Sequence, residues 1–145
     1  MLVTMLDFDE FLHDISECFI LRDPKLWIRR VILPFSIVTK DGPVVLESWE
    51  EVRANFENYL TACDLMSIDM ISRQRISVED CGDGTWLGTY ETRLLSNGGL
   101  ATAPYISTAL LSWEKDVLNM SSILNARGHH EWTGLTPGGD GPHHR

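Results

Sequence analysis

The stretch RDPKLWIRRVILPFSIVTKDGPVVLESWEEVRANFENYL, residues 22–60, decides how this chain is read. Asp23 before Pro24 is a helix-start signal, because proline at the first helical position gives up no bond that would otherwise form. A short helix is expected over residues 25–33, carrying Trp27, Ile28, Val31 and Ile32, with Pro34 as its stop. Two apolar runs then flank Lys40-Asp41-Gly42, and Asp-Gly between such runs is a strong hairpin signal. Ser48 and Glu51 form an S-x-x-E capping box. From there Trp49, Val52, Phe56, Leu60 and Cys63 trace one helical face, with Tyr59 at its edge.

Working outward toward the N-terminus, Asp7 followed by Glu10 reads as a capping-box-like start. Phe8, Phe11, Leu12, Ile15 and Phe19 then fall on one helical stripe. Toward the C-terminus the period changes from 3.6 to 2, and strands are expected over residues 67–79, 85–95, 100–113 and 117–127. Asp83-Gly84, Asn97-Gly98-Gly99 and Lys115-Asp116 punctuate them, so consecutive strands should run antiparallel side by side. This order of elements gives an α+β class: one curved antiparallel sheet, cone-shaped, wrapped around three N-terminal helices. Such a cone tends to enclose an apolar pocket at its open end, ordinarily of about 300–1,000 Å³.

A chain of 145 residues is long enough for one core, so a single domain is expected over residues 1–127. Residues 128–145, rich in Gly, Pro and His, read as a flexible tail. The net charge of −9 repels phosphate, which argues against nucleic acid and an anionic membrane surface as partners. No apolar run is long enough for a membrane helix. Met1–Leu6 lacks basic residues and meets Asp7, Asp9 and Glu10 at once, so a cytoplasmic location is expected. Cys18, Cys63 and Cys81 have no paired spacing, which speaks against a disulfide framework or zinc site. Adjacent pairs His129, His130 and His143, His144 on a Gly/Pro-rich tail lack a preorganised surround, so no metal and no cofactor is expected.

The quoted stretch, followed by strands ending in WEKDVLNMSSIL, resembles the nuclear transport factor 2-like superfamily, in its SnoaL-like and ketosteroid isomerase-like branch. The resemblance covers about residues 7–127 and rests on element order and spacing. It implies a cystatin-like cone with an interior pocket and a homodimer through the convex sheet face. The isomerases of that superfamily use a Tyr on helix one, an Asp base on the strand after helix two and a protonated Asp on a later strand. Counting from Asp23 puts the first two positions at Ile15 and Thr39, and counting back from Val117 and Met120 puts the third near Ser107. Ile15 is no phenol and neither Thr39 nor Ser107 is a carboxylate, so isomerisation by that mechanism is rejected and no catalytic set is assigned.

Inward hydroxyls expected to orient a ligand are Tyr59, Tyr105, Ser107, Thr39 and Ser122. Ile15, Trp27, Phe35 and Phe56 are expected as apolar walls, with Met120 and Leu124 from the last strand. On the second long strand Trp86, Tyr90 and Leu94 share one face, and Leu87, Glu91, Arg93 and Leu95 the other. The habit of antiparallel sheets favours the aromatic set inside, with Tyr90 in the pocket and Glu91 and Arg93 in a cross-strand ion pair or dimer contact. Asp69, Arg73 and Arg75 are read as a solvated face, and His13 as a surface residue. Thr108, Leu110, Asn119, Ser121 and Ile123 are expected on the outer, dimerising face. The reading is of a pocket protein for a small apolar, cyclic molecule. The alternative is an isomerase, dehydratase or cyclase with a divergent active site.

Overall fold

The computed structural model describes residues 2–114 and 116–126. The tail, its histidines and one residue of the last turn lie outside them. Helix α1 spans Met5–Ile20, α2 Pro24–Ile28 and α3 Trp49–Leu65. The strands are β1 Val31–Thr39, β2 Gly42–Leu46, β3 Met70–Gly82, β4 Thr85–Ser96, β5 Gly99–Leu100, β6 Tyr105–Glu114 and β7 Val117–Leu124.

Helix α1 starts one turn earlier than expected. Thr4 is its cap: the Thr4 hydroxyl accepts from the Asp7 amide at 3.0 Å, and Asp7 accepts from the Thr4 amide at 2.9 Å. Asp7 is thus the third helical residue of the box, where a carboxylate suits the helix dipole. Phe8, Phe11, Leu12, Ile15 and Phe19 are all buried, as their spacing requires. Ser48 caps α3, accepting from the Glu51 amide at 3.2 Å. Val52, Phe56 and Leu60 are buried. Trp49, expected on that face, is 46% exposed, because the first turn of α3 carries it to the surface.

The second helix is shorter than expected, ending at Ile28. The Met120 amide donates to the Arg30 carbonyl at 2.8 Å, so sheet pairing begins there, and β-branched Val31 and Ile32 suit a strand. Pro34, after a cis peptide bond, does not end a helix but sits within β1. It falls where the β1–β7 register is interrupted and just before the β1–β2 ladder begins at Phe35, so no ladder bond lacks a donor.

The sheet runs β2-β1-β7-β6-β4-β3, with β5 paired to β4. Every pairing is antiparallel except β1–β7, which is parallel, so the sheet is mixed. It does not close. Register shifts in β3 and β7 mark bulges that bend the sheet around α1. The β7 bulge also changes which side chains face inward. Leu118 and Met120 are buried before it and Ile123 after it, an odd spacing that only an extra residue allows. Ile123 therefore leaves the outer set, whereas Ser122 and Leu124 do not face the core. Asn119 is also buried, its Nδ2 donating to the Arg29 carbonyl at 2.6 Å.

On β4 the aromatic phase is the inner one. Trp86, Tyr90 and Leu94 are buried, and Arg93 is exposed. Glu91 and Arg93 do form an ion pair, at 2.9 Å, but within one strand and not across two.

Candidate functional site

Between the concave sheet face and helices α1 and α3 lies a cavity of about 30 Å³. That is room for one or two waters or a ligand head group, far below the size expected of the cone. Five aromatic side chains wall it: Phe19 from α1, Trp27 from α2, Tyr59 from α3, Tyr90 from β4 and Tyr105 from β6. Phe19 is the hub, lying 5.4 Å from Trp27, 5.6 Å from Tyr59 and 4.8 Å from Phe56 between ring centroids.

Of the residues singled out in the sequence, Ile15, Trp27, Tyr59, Tyr90, Tyr105 and Ser107 line this cavity. The others are placed elsewhere for identifiable reasons. Phe56 stacks behind Phe19, and Phe35 meets Trp27 edge-on at 6.1 Å, so both back the wall. Met120 is core below the β7 bulge. Thr39 closes the β1–β2 turn, its hydroxyl accepting from the Asp41 amide at 3.1 Å. Leu124 is 42% exposed and Ser122 pairs with Leu110 on the outer phase. Ile37 and Ile123 occupy the places expected for Thr39 and for Ser122 with Leu124.

Arg73 is the largest departure. It was read on a solvated face with Asp69 and Arg75, yet it reaches the cavity. Its two supposed companions part: Asp69 accepts from the Asn97 amide at 3.0 Å, and Arg75 pairs with Asp9 on α1. The Arg73 guanidinium lies 6.0 Å from the Tyr90 ring centroid and donates through Nη1 to Thr92 Oγ1 at 2.9 Å. Its Nε is buried and has no hydrogen-bond partner. Among the described residues no carboxylate forms an ion pair with it. The available signal was parity. Ile71 is buried and shares the strand face of Arg73, whereas Ser72 and Gln74 take the other. Asn55 was missed as well. It is a polar residue within the Val52-Phe56-Tyr59 stripe, 2% exposed and on the cavity wall.

Electrostatically the site is a cation among neutral groups. Burial disfavours the Arg73 charge, but the Tyr105, Tyr90, Cys18 and Tyr59 groups around it raise its pKa above the ordinary arginine value, and it stays charged. Burial pushes the Tyr90 phenol up to about 12, against the lowering pull of Arg73, so Tyr90 is neutral at physiological pH. Ser107, facing Tyr90 across the β4–β6 ladder, donates to the Asn125 carbonyl at 3.1 Å. The described lining residues include no Asp, Glu or His, and the described residues hold no cluster of three or more metal-ligating side chains. The arrangement can hold a polar head group and can stabilise negative charge. Among its described residues it offers no carboxylate or imidazole to act as a general base.

No family model matches the chain, and no curated protein matches it. Solved structures do. One is a nuclear transport factor 2-like protein of unknown function from Shewanella oneidensis, with a TM-score of 0.62 at 12% identity over 81% of this chain and 94% of that one. A domain of unknown function with a cystatin-like fold from Nostoc punctiforme gives 0.63 at 13% identity, covering 86% and 79%. The Aln2 protein of a Streptomyces species gives 0.61 at 14% identity, covering 86% and 92%. The chain has the nuclear transport factor 2-like, cystatin-like fold. At these identities the likeness extends to the fold alone. No described helix is long and apolar enough to cross a membrane.

Proposed function

We propose that this chain is a small-molecule pocket protein whose ligand presents an apolar, ring-bearing body, and that its role is binding. The observation that carries this reading is the cavity itself: aromatic walls with hydroxyl and amide groups converging on it, and no carboxylate or imidazole among the described lining residues. Tyr59, Arg73 and Tyr105 are the lining residues that keep exposed surface, so the mouth lies among them. A ring would sit there, against the two tyrosines, with only its polar end in the enclosed space. An isomerase, dehydratase or cyclase could use Arg73 to stabilise an oxyanion, but would still need a base. Binding is therefore preferred.

Benzyl alcohol is a suitable neutral probe, followed by amide chemical shifts and tryptophan fluorescence. Shifts concentrated at Tyr59, Tyr105 and Ser107, with a fluorescence change lost in Trp27→Phe, are expected. Saturable shifts confined to the outer surface, or none, would overturn the reading.

The proposal includes a cytoplasmic homodimer joined through the convex face. In its support, Ile106 is 47% and Leu124 42% exposed, both on the outer phase of adjacent strands.

A further inference from the structure

We propose that Arg73 is a carboxylate receptor, so that the cavity takes a small organic monoanion with its carboxylate inward and its apolar body toward the mouth. This rests on the pocket reading above and names the chemistry of the ligand's polar end.

A guanidinium carries five N–H donors in a planar fork that matches a carboxylate. Here Nη1 is held by Thr92 Oγ1 at 2.9 Å, which fixes the plane, and the Tyr90 ring lies 6.0 Å from the guanidinium carbon. Nε–H is left buried without a partner. That is the side-on edge of the fork, the one a carboxylate oxygen would occupy with its twin on the adjacent Nη2. A water in the 30 Å³ space could accept the Nε–H bond, but it would bring no negative charge to a guanidinium that forms no ion pair among the described residues. An anion satisfies both. Cys18 and Tyr90 provide no internal counterion at neutral pH, because burial pushes the thiol and the phenol up.

Size and charge narrow the class. The enclosed volume holds a head group and not a ring. One guanidinium in a protein of net charge −9 favours a single negative charge over a phosphate or dicarboxylate, which the surrounding field repels. The mouth tyrosines suit an apolar or aromatic body.

The test uses the ¹⁵N-labelled full chain at pH 7 and constant ionic strength, titrated separately with benzoate, acetate and benzyl alcohol. The Arg73 Nε–Hε resonance should move and saturate with both carboxylates, and benzoate should bind at least about tenfold tighter than benzyl alcohol. Arg73→Met should erase that preference while keeping any benzyl alcohol binding. Arg73→Lys, which keeps the charge but loses the fork, should fall between. The wild-type Nε–Hε signal keeps the test decisive should a variant fail to fold. Benzyl alcohol binding with an unmoved Arg73 signal and no preference for benzoate would overturn this inference and leave the pocket reading standing. Acetate moving that signal while neither ring probe binds would support the inference and overturn the ring-bearing ligand. Silence from all three probes would overturn both.

Discussion

Phe8 occupies the place where a side chain on Gly88 would have to go. A Cβ added to Gly88 would lie 2.5 Å from the Phe8 ring and 2.9 Å from Leu111 Cδ1. Phe8 is fully buried and held by Phe11 at 5.9 Å and Tyr90 at 6.3 Å between centroids, so it cannot swing aside. Glycine on β4 is thus a packing requirement that lets α1 press against the sheet. Gly88→Ala is expected to cost about 1–3 kcal/mol through overpacking. Urea unfolding should show a lower midpoint at an unchanged slope. An unchanged midpoint would mean that α1 stands further from β4.

Asp14 and Arg30 form the most enclosed ion pair among the described residues. Asp14 Oδ2 accepts from Arg30 Nε at 3.0 Å and from Arg29 Nη2 at 2.6 Å, while Arg30 Nη1 donates to the Leu118 carbonyl at 3.0 Å. Their side chains are only 14% and 9% exposed. Asp14→Ala strands the Arg30 charge and is expected to cost about 3–5 kcal/mol. Asp64→Ala, which breaks the exposed Arg22–Asp64 pair at 2.9 Å, should cost far less, because water screens that pair. Parallel denaturation curves check the contrast, and equal losses would refute it.

Stability should fall at alkaline pH. Burial pushes the Cys63 thiol up to about 11, and the buried Cys18 thiol is raised as well. An unfolded thiol ionises near about 8.5, so above that pH the unfolded chain releases protons that the folded chain retains. The contribution is complete below the unfolded value and is lost as pH climbs toward the folded one. Thermal melts at pH 7.5 and 10.5 should show the loss, and Cys63→Ala should lose less. Of the three thiols, exposed Cys81 should react first with a thiol reagent at pH 8.

A homodimer should scatter light with about twice the 16.4 kDa mass of one chain. Ile106→Asp with Leu124→Asp places two charges on the outer face and should yield the monomer with its fold intact by circular dichroism. A monomeric wild type at micromolar concentration would exclude this assembly.

What the sequence carried by itself was local chemistry. The Ser48 cap, Asp23-Pro24 and the Phe8-to-Phe19 stripe report on bonds and faces made within a few residues, and each is realised, although the Glu51 carboxylate accepts from the Glu47 amide and the Ser48 hydroxyl and so leaves the box half made. So are the turns, where Asp83 and Asn97 take φ of 53° and 51° beside Gly84 and Gly98. Alternation on β4 was enough to turn Tyr90 inward.

Tertiary structure decided everything that depends on how distant strands meet. Val31 and Ile32 became strand because β7 lies parallel beside β1, a pairing no local pattern announces. One extra residue in β7 moved Ile123 into the cavity and Ser122 and Leu124 out of it, because side-chain direction has a period of two and a bulge resets it. Arg73 looked solvated by residue type. It reaches the cavity because β3 pairs Arg73 with Thr92, whose hydroxyl accepts from the guanidinium on the concave face. A sequence shows which residues can be charged, but only the packing around them determines whether that charge meets water or a ligand.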